Sequence, residues 1–145
     1  DILVATTGVD TQTVRPVFTA EELIAAQTTV RRMPWGEKVV EMILDLVRAC
    51  RPGETEAAEG VTGSVSWGPG PRAAQALMLT VRARALLDGR LAPSPEDVAA
   101  LARPVLTHRM ALSFAARARG ESLAAVIDKV ARGATRIEVQ SEAAA

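Results

Sequence analysis

The residues with the most chemical potential lie in one short run, Gly68-Pro69-Gly70-Pro71-Arg72-Ala73. Taken by itself, this run fits the dinucleotide pattern G-x-G-x-x-A, placed where a strand hands over to a helix. That pattern works by aiming backbone amides and a helix N-terminus at a pyrophosphate. Pro69 and Pro71 delete two of those amides, and no second parallel strand follows to carry an acidic ribose ligand. Dinucleotide binding is therefore rejected. What survives is Arg72, a permanent cation in the first turn of a helix. There it opposes the helix dipole by about 0.3–1 kcal/mol, where Asp or Glu is the usual choice. Such a placement makes sense if an anion is brought to the guanidinium, with Pro71 fixing the backbone before it. From the residues alone, a solvated arginine or a structural ion pair with Glu54, Glu56 or Glu59 is the favoured reading.

The other candidates carry less. Arg51 stands at the end of a helix, where capping or an ion pair explains it. His108 and Arg109 are two cationic groups at a helix C-terminus, which the dipole alone accounts for. One His and the single Cys50 supply no metal-ligand set. Arg117-Ala118-Arg119 reads as a solvated end or a subunit contact, and Trp35 and Trp67 as core or interface anchors. No nucleophile–base pair converges, which argues against a stand-alone enzyme.

The elements that must hold these residues are mostly helical. Thr19 and Glu22 fit a capping box, followed by Leu23, Ile24, Gln27 and Val30 at helical spacing until Pro34. A second helix spans Glu37 to Cys50, with Val39, Ile43, Leu46, Val47 and Cys50 on one stripe. Glu54 to Gly60 is an acidic loop. Val61 to Trp67 alternates, which predicts a strand with Val61, Gly63, Val65 and Trp67 on its buried face. Its partner is expected at Met110 to Phe114. A third helix runs from Pro71 to near Asp88, capped by Gly89. It is apolar nearly all round and so is expected at the centre. Ser94-Pro95-Glu96-Asp97 opens a fourth helix, which Pro104 should kink or split. A fifth helix, about Glu121 to Arg132, should end at Gly133. Residues 1–8 are ambiguous between helix and strand. The expectation is thus a mainly α protein, a bundle of about five helices with a short two-stranded β pair. Residues 1–18 form a connector, 19–132 the domain, and 133–145 a frayed tail.

Composition narrows the function classes. Of 145 residues, 48% are hydrophobic, and 17 basic residues balance 17 acidic ones, so the chain is neither disordered nor a polybasic nucleic-acid arm. Aromatics make up 3% with no Tyr, which leaves few stacking platforms for single strands. No window approaches the length of a membrane span, and no secretion signal is visible. Reading from composition, the compartment is a reducing cytoplasm, with no membrane or nucleic-acid partner. A helical protein- or DNA-binding module with no nucleotide role remains the competing reading, since a short Gly-containing turn joins the third and fourth helices. The chain begins at Asp1 rather than Met and is expected to be a piece of something longer.

The ordered blocks are also recognisable. Val65-Ser66-Trp67-Gly68-Pro69-Gly70-Pro71-Arg72-Ala73-Ala74-Gln75-Ala76-Leu77 resembles the sensor 2 region of MoxR-family AAA+ ATPases. The resemblance continues in Ala83-Arg84-Ala85-Leu86-Leu87-Asp88-Gly89-Arg90, in Ser94-Pro95-Glu96-Asp97-Val98 and in Pro104-Val105-Leu106-Thr107-His108-Arg109, covering roughly residues 20–132. It implies the C-terminal helical lid of such an ATPase. The resemblance makes Arg72 the sensor 2 arginine, directed at the γ-phosphate of ATP, with Gly70 and Pro71 shaping the turn beside it. It implies ATP and Mg²⁺ as cofactors of the intact parent, with no tight binding to this piece. It further implies an α/β ATPase domain and neighbouring subunits of a hexameric ring as partners. A protein bearing a von Willebrand factor A domain is a further implied partner, and chaperone-like remodelling the output. The family usually has a small residue and then Ser or Gly before the Pro-Arg pair, and here Pro69-Gly70 stands there, a stiffer turn. No phosphate-binding G-x-x-x-x-G-K-S/T loop occurs in these residues, so no ATP turnover is expected from them alone.

Overall fold

The computed structural model describes residues 2–8 and 15–143. In chain order the helices are α1 (Ile2–Thr7), α2 (Ala20–Arg32), α3 (Glu37–Ala49), a single turn α4 (Val61–Ser64), α5 (Pro71–Leu87), α6 (Pro95–Leu106), α7 (Phe114–Ala118) and α8 (Leu123–Ala143). Two short strands, β1 (Val65–Trp67) and β2 (Ala111–Leu112), pair antiparallel, and a 3₁₀ turn at Thr107–Arg109 follows α6. Residues 2–7 are thus helical, and Gly8 bends the chain after them. Much of the expected connector, residues 9–14, lies outside the described part.

α5 is the axis of the bundle and packs against α2, α3 and α6. Its buried side chains, Ala73, Leu77 and Val81, meet Ile43, Leu46 and Val47 of α3, Val98, Ala102 and Leu106 of α6, and Ile127 of α8. All five residues of the α3 stripe are buried. Gly89 follows α5 with φ +72°, the left-handed conformation that lets the chain leave the helix without a Cβ penalty.

Three expectations give way. The first is the strand from Val61. Gly60, at φ +85°, turns the chain into one helical turn, closed by Ser64 N–H donating to the Gly60 carbonyl at 3.1 Å, and the strand begins only at Val65. Val65 faces Leu112 and Trp67 faces Ala111, two steps on one strand against one on the other. The extra residue, Ser66, bulges and breaks the alternation, so Val65 is buried while Trp67 stays 55% exposed. On the partner segment Met110 is buried but Phe114 starts α7 and lies outside the core. The second is Pro104, which lies inside a continuous α6 and does not split it. The third is Gly133. α8 passes through it to Ala143, and a glycine costs only about 1 kcal/mol inside a helix. The start of α2 is where the sequence places it. Its capping box forms, with Thr19 N–H to Glu22 Oε2 at 2.8 Å and Glu22 N–H to Thr19 Oγ1 at 3.2 Å. Yet no α2 residue is buried, and Leu23 and Ile24 face outward.

Candidate functional site

The run that carries Arg72 is pinned from below by the end of α3. A Cβ on Gly68 would lie 2.7 Å from the Cys50 carbonyl oxygen, 2.9 Å from Arg51 Cα and 3.0 Å from Pro52 Cδ, so only glycine fits there. The Pro69 ring is fully buried. Its carbonyl accepts a 2.9 Å hydrogen bond from Arg51 Nε, while Arg51 Nη1 meets Glu54 at 3.4 Å. Gly70 is the extended N-cap of α5 and Pro71 its first residue, with Ala73 N–H donating to the Gly70 carbonyl at 2.9 Å. Proline at that position fixes φ and gives up an amide that has no partner in the helix anyway. The loop is therefore held by packing at Gly68 and Pro69, by one hydrogen bond from Arg51, and by the rigid start of a central helix.

Arg72 emerges from this clamp exposed. No ion pair or side-chain hydrogen bond ties it to another described residue. Of the carboxylates that offered it an internal partner, Glu54 is engaged by Arg51 and Glu56 accepts from Thr55 Oγ1 at 3.2 Å. The first turn of α5 contains no acidic residue. A positive dipole end and a guanidinium thus stand together without compensation. Beside them runs a cleft of about 490 Å³ between the end of α2, α3 and α5, lined by Val40, Leu44, Ala74, Gln75, Met78 and Leu79. Gln75, three residues beyond Arg72, shares its helix face.

Cys50, directly beneath Gly68, is fully buried, and loss of hydration pushes its thiol pKa up to about 12. It is a small apolar filler, not a nucleophile. Arg109 Nη1 donates to the Val105 carbonyl at 2.6 Å and contacts the His108 ring, so this pair closes the C-terminal end of α6. Arg117 binds the Leu112 carbonyl at 3.1 Å and Arg119 pairs with Glu121 at 2.7 Å, both on the surface. Among the described residues no three His, Cys, Asp or Glu side chains are grouped as metal ligands would be, and no helix is long and apolar enough to cross a membrane.

Two buried polar residues escaped the sequence reading. Asp97 is 2% exposed and accepts from Arg90 at 2.7 and 2.8 Å and from the Ser94 amide at 2.8 Å, with Arg84 Nε 3.1 Å away. These contacts, the Arg90 hydrogen bonds first, hold its carboxyl below the usual carboxylate range. The network ties α5 to the start of α6. Its sequence signal was only a second carboxylate after Ser94-Pro95. Arg82 is 7% exposed on α5, donates to the Arg31 carbonyl at 3.0 Å and lies 4.2 Å above the Trp35 ring. Burial lowers its pKa, and its Nε has no partner. It joins α5 to the end of α2, where an arginine within an otherwise apolar helix was the available clue.

The structure provides one exposed, rigidly based guanidinium and no phosphate cradle: the stretch before Arg72 lacks the two amides that Pro69 and Pro71 remove. These residues fit one contact to an anion whose other ligands come from elsewhere.

Comparison with known proteins identifies the family. The AAA lid domain family model matches residues 57–130. The chain is 30% identical to the uncharacterized protein YeaC of Bacillus subtilis over 132 residues, 91% of this chain and 38% of that protein. It is 45% identical to protein MoxR of Paracoccus denitrificans over 74 residues, 50% of this chain and 21% of that protein. It is 28% identical to chaperone MoxR1 of Mycobacterium tuberculosis over 123 residues, 85% of this chain and 33% of that protein. A solved structure of a provisionally assigned ATPase from Cytophaga hutchinsonii superposes with a TM-score of 0.70 at 26% identity, covering 77% of this chain and 34% of that one. The chain therefore spans well under half the length of each of these relatives.

Proposed function

The chain belongs to the AAA lid domain family, as the lid of a MoxR-type ATPase, and from that premise we propose that it supplies the sensor arginine, Arg72, to a nucleotide held mainly by an α/β domain of the same parent protein. The observation that carries this reading is the unpaired, exposed guanidinium on a clamped helix start. When bound, the triphosphate supplies the scissile γ-phosphoryl group. Arg72 contributes a permanent charge with forked donors that match phosphate oxygens. Gly68, Pro69 and the Arg51 bond hold that charge in place so that little ordering is needed on contact. Loss of the anion removes the partner of Arg72 and leaves the lid free to change its angle, which couples turnover to movement.

The wider reading places this lid in a hexameric cytoplasmic ring. There it touches its own α/β domain and the neighbouring subunits, and works with client proteins, among them one bearing a von Willebrand factor A domain. The chaperone name of the mycobacterial relative supports a remodelling role. ATP and Mg²⁺ are the cofactors of the intact parent.

The test is Arg72→Ala in the intact parent. A charge-assisted hydrogen bond is worth about 1.5–3 kcal/mol, so hydrolysis should fall roughly 10- to 150-fold while nucleotide binding is partly retained and the lid's melting temperature is unchanged. Hydrolysis at the parental rate would remove the sensor assignment.

A further inference from the structure

A second groove, of about 620 Å³, lies between α3, the loop before α4, and α8. Its floor is apolar, formed by Met42, Ala49, Ala58 and Val130. Its rim is acidic. Glu41 and Asp45 stand one turn apart on α3, and Glu56 and Glu59 reach in from the loop, against a single Lys129 on α8. All four carboxylates are exposed, and neither Glu41, Asp45 nor Glu59 forms an ion pair with a described residue. Like charges at i, i+4 repel by a few tenths of a kcal/mol. Among the lining residues four carboxylates thus stand against one ammonium, in a chain whose net charge is zero. The α3 wall from Glu41 to Ala49 is about 12 Å long at 1.5 Å per residue, room for two turns of a helix.

We propose that this groove is a docking site for a cationic amphipathic helix of a partner protein, with the helix's apolar face on Met42, Ala58 and Val130 and its Lys or Arg residues on Glu41, Asp45, Glu56 and Glu59. The charge of the rim selects the partner, and the apolar floor supplies the area that surface ion pairs alone do not. Opposite charges across the rim steer the encounter and make it salt-dependent.

The test uses the 145-residue chain and a fluorescein-labelled peptide of about four helical turns, built from Leu and Lys in an amphipathic pattern, with a Leu/Glu peptide of the same pattern as control. Fluorescence anisotropy should show the Lys peptide binding, more weakly as salt rises, and the Glu peptide not binding. Glu41→Lys combined with Asp45→Lys should weaken binding at least about tenfold, equivalent to about 1.4 kcal/mol. Glu21→Lys, an exposed charge on α2, should leave it unchanged. Ala134→Trp, which fills the groove from α8, should abolish it with the net charge unaltered. The proposal is overturned by equal binding of both peptides, by equal loss in the α2 control, or by full binding to the filled groove. Self-association in sedimentation that the paired α3 substitutions abolish would make a second copy the occupant and overturn it too.

Discussion

At the residue scale, the role proposed for Arg72 rests on a helix start held in place by Gly68, Pro69 and Arg51. Gly68 shows this most sharply. Gly68→Ala forces a methyl to 2.7 Å from the Cys50 carbonyl, a backbone atom that cannot swing aside. The expected cost is about 1–3 kcal/mol, that of overpacking a tight core, measured by denaturant unfolding. In the intact parent the same substitution should lower hydrolysis while leaving Arg72 itself in place. Cys50 beneath it gives a pH signature. Its folded pKa, about 12, lies above the ordinary thiol value near 8.5. The stability it contributes is therefore present below pH 8.5 and is lost as pH rises toward 12, because the unfolded chain releases its proton first. Wild type should lose stability over that interval more steeply than Cys50→Ala, and a thiol reagent should label Cys50 only on unfolding. Asp97 works in the opposite direction. Its folded pKa is depressed, so its contribution is present above about pH 4 and lost as pH falls through the folded value. Asp97→Asn should melt below wild type at neutral pH, and the gap should close in acid. A constant gap down to pH 2 would detach the network from acid stability.

At the element scale, α2 and α5 are opposites. α5 is surrounded, and its one buried charge, Arg82, is directed to the end of α2. α2 buries no residue of its own; it packs on α5, the Arg31 carbonyl accepts from Arg82, and Trp35, just beyond α2, stacks on the same guanidinium. Its stability is consequently local. Thr19→Ala removes the capping box at a cost of about 1 kcal/mol. That loss should appear as faster amide exchange within α2, with the main melting transition unmoved. A shift of the whole transition would show α2 to be part of the cooperative core. Leu23 and Ile24 lie on a regular helical stripe and yet are exposed in the described fold: periodicity reports which face is apolar, not what covers it.

At the scale of the whole molecule, the proposed role divides a nucleotide site between this chain and the rest of its parent. No phosphate-binding G-x-x-x-x-G-K-S/T loop occurs in the chain's sequence, so these 145 residues should show no ATP turnover above background in a phosphate-release assay. Measurable turnover would overturn that reading. Much of this architecture was legible in the sequence because it is encoded locally. Thr19 and Glu22, Pro71, Gly89 and Ser94 mark the ends of α2, α5 and α6 by cap and turn chemistry that acts over three or four residues. The α3 stripe identified itself by its period. The bulge at Ser66, the passage of α8 through Gly133, the Asp97 network and the Arg82 stack were decided only by the tertiary structure. The bulge and the stack depend on which distant residue arrives opposite, Leu112 for the strand and Trp35 for the guanidinium, and local propensity carries no information about that arrival.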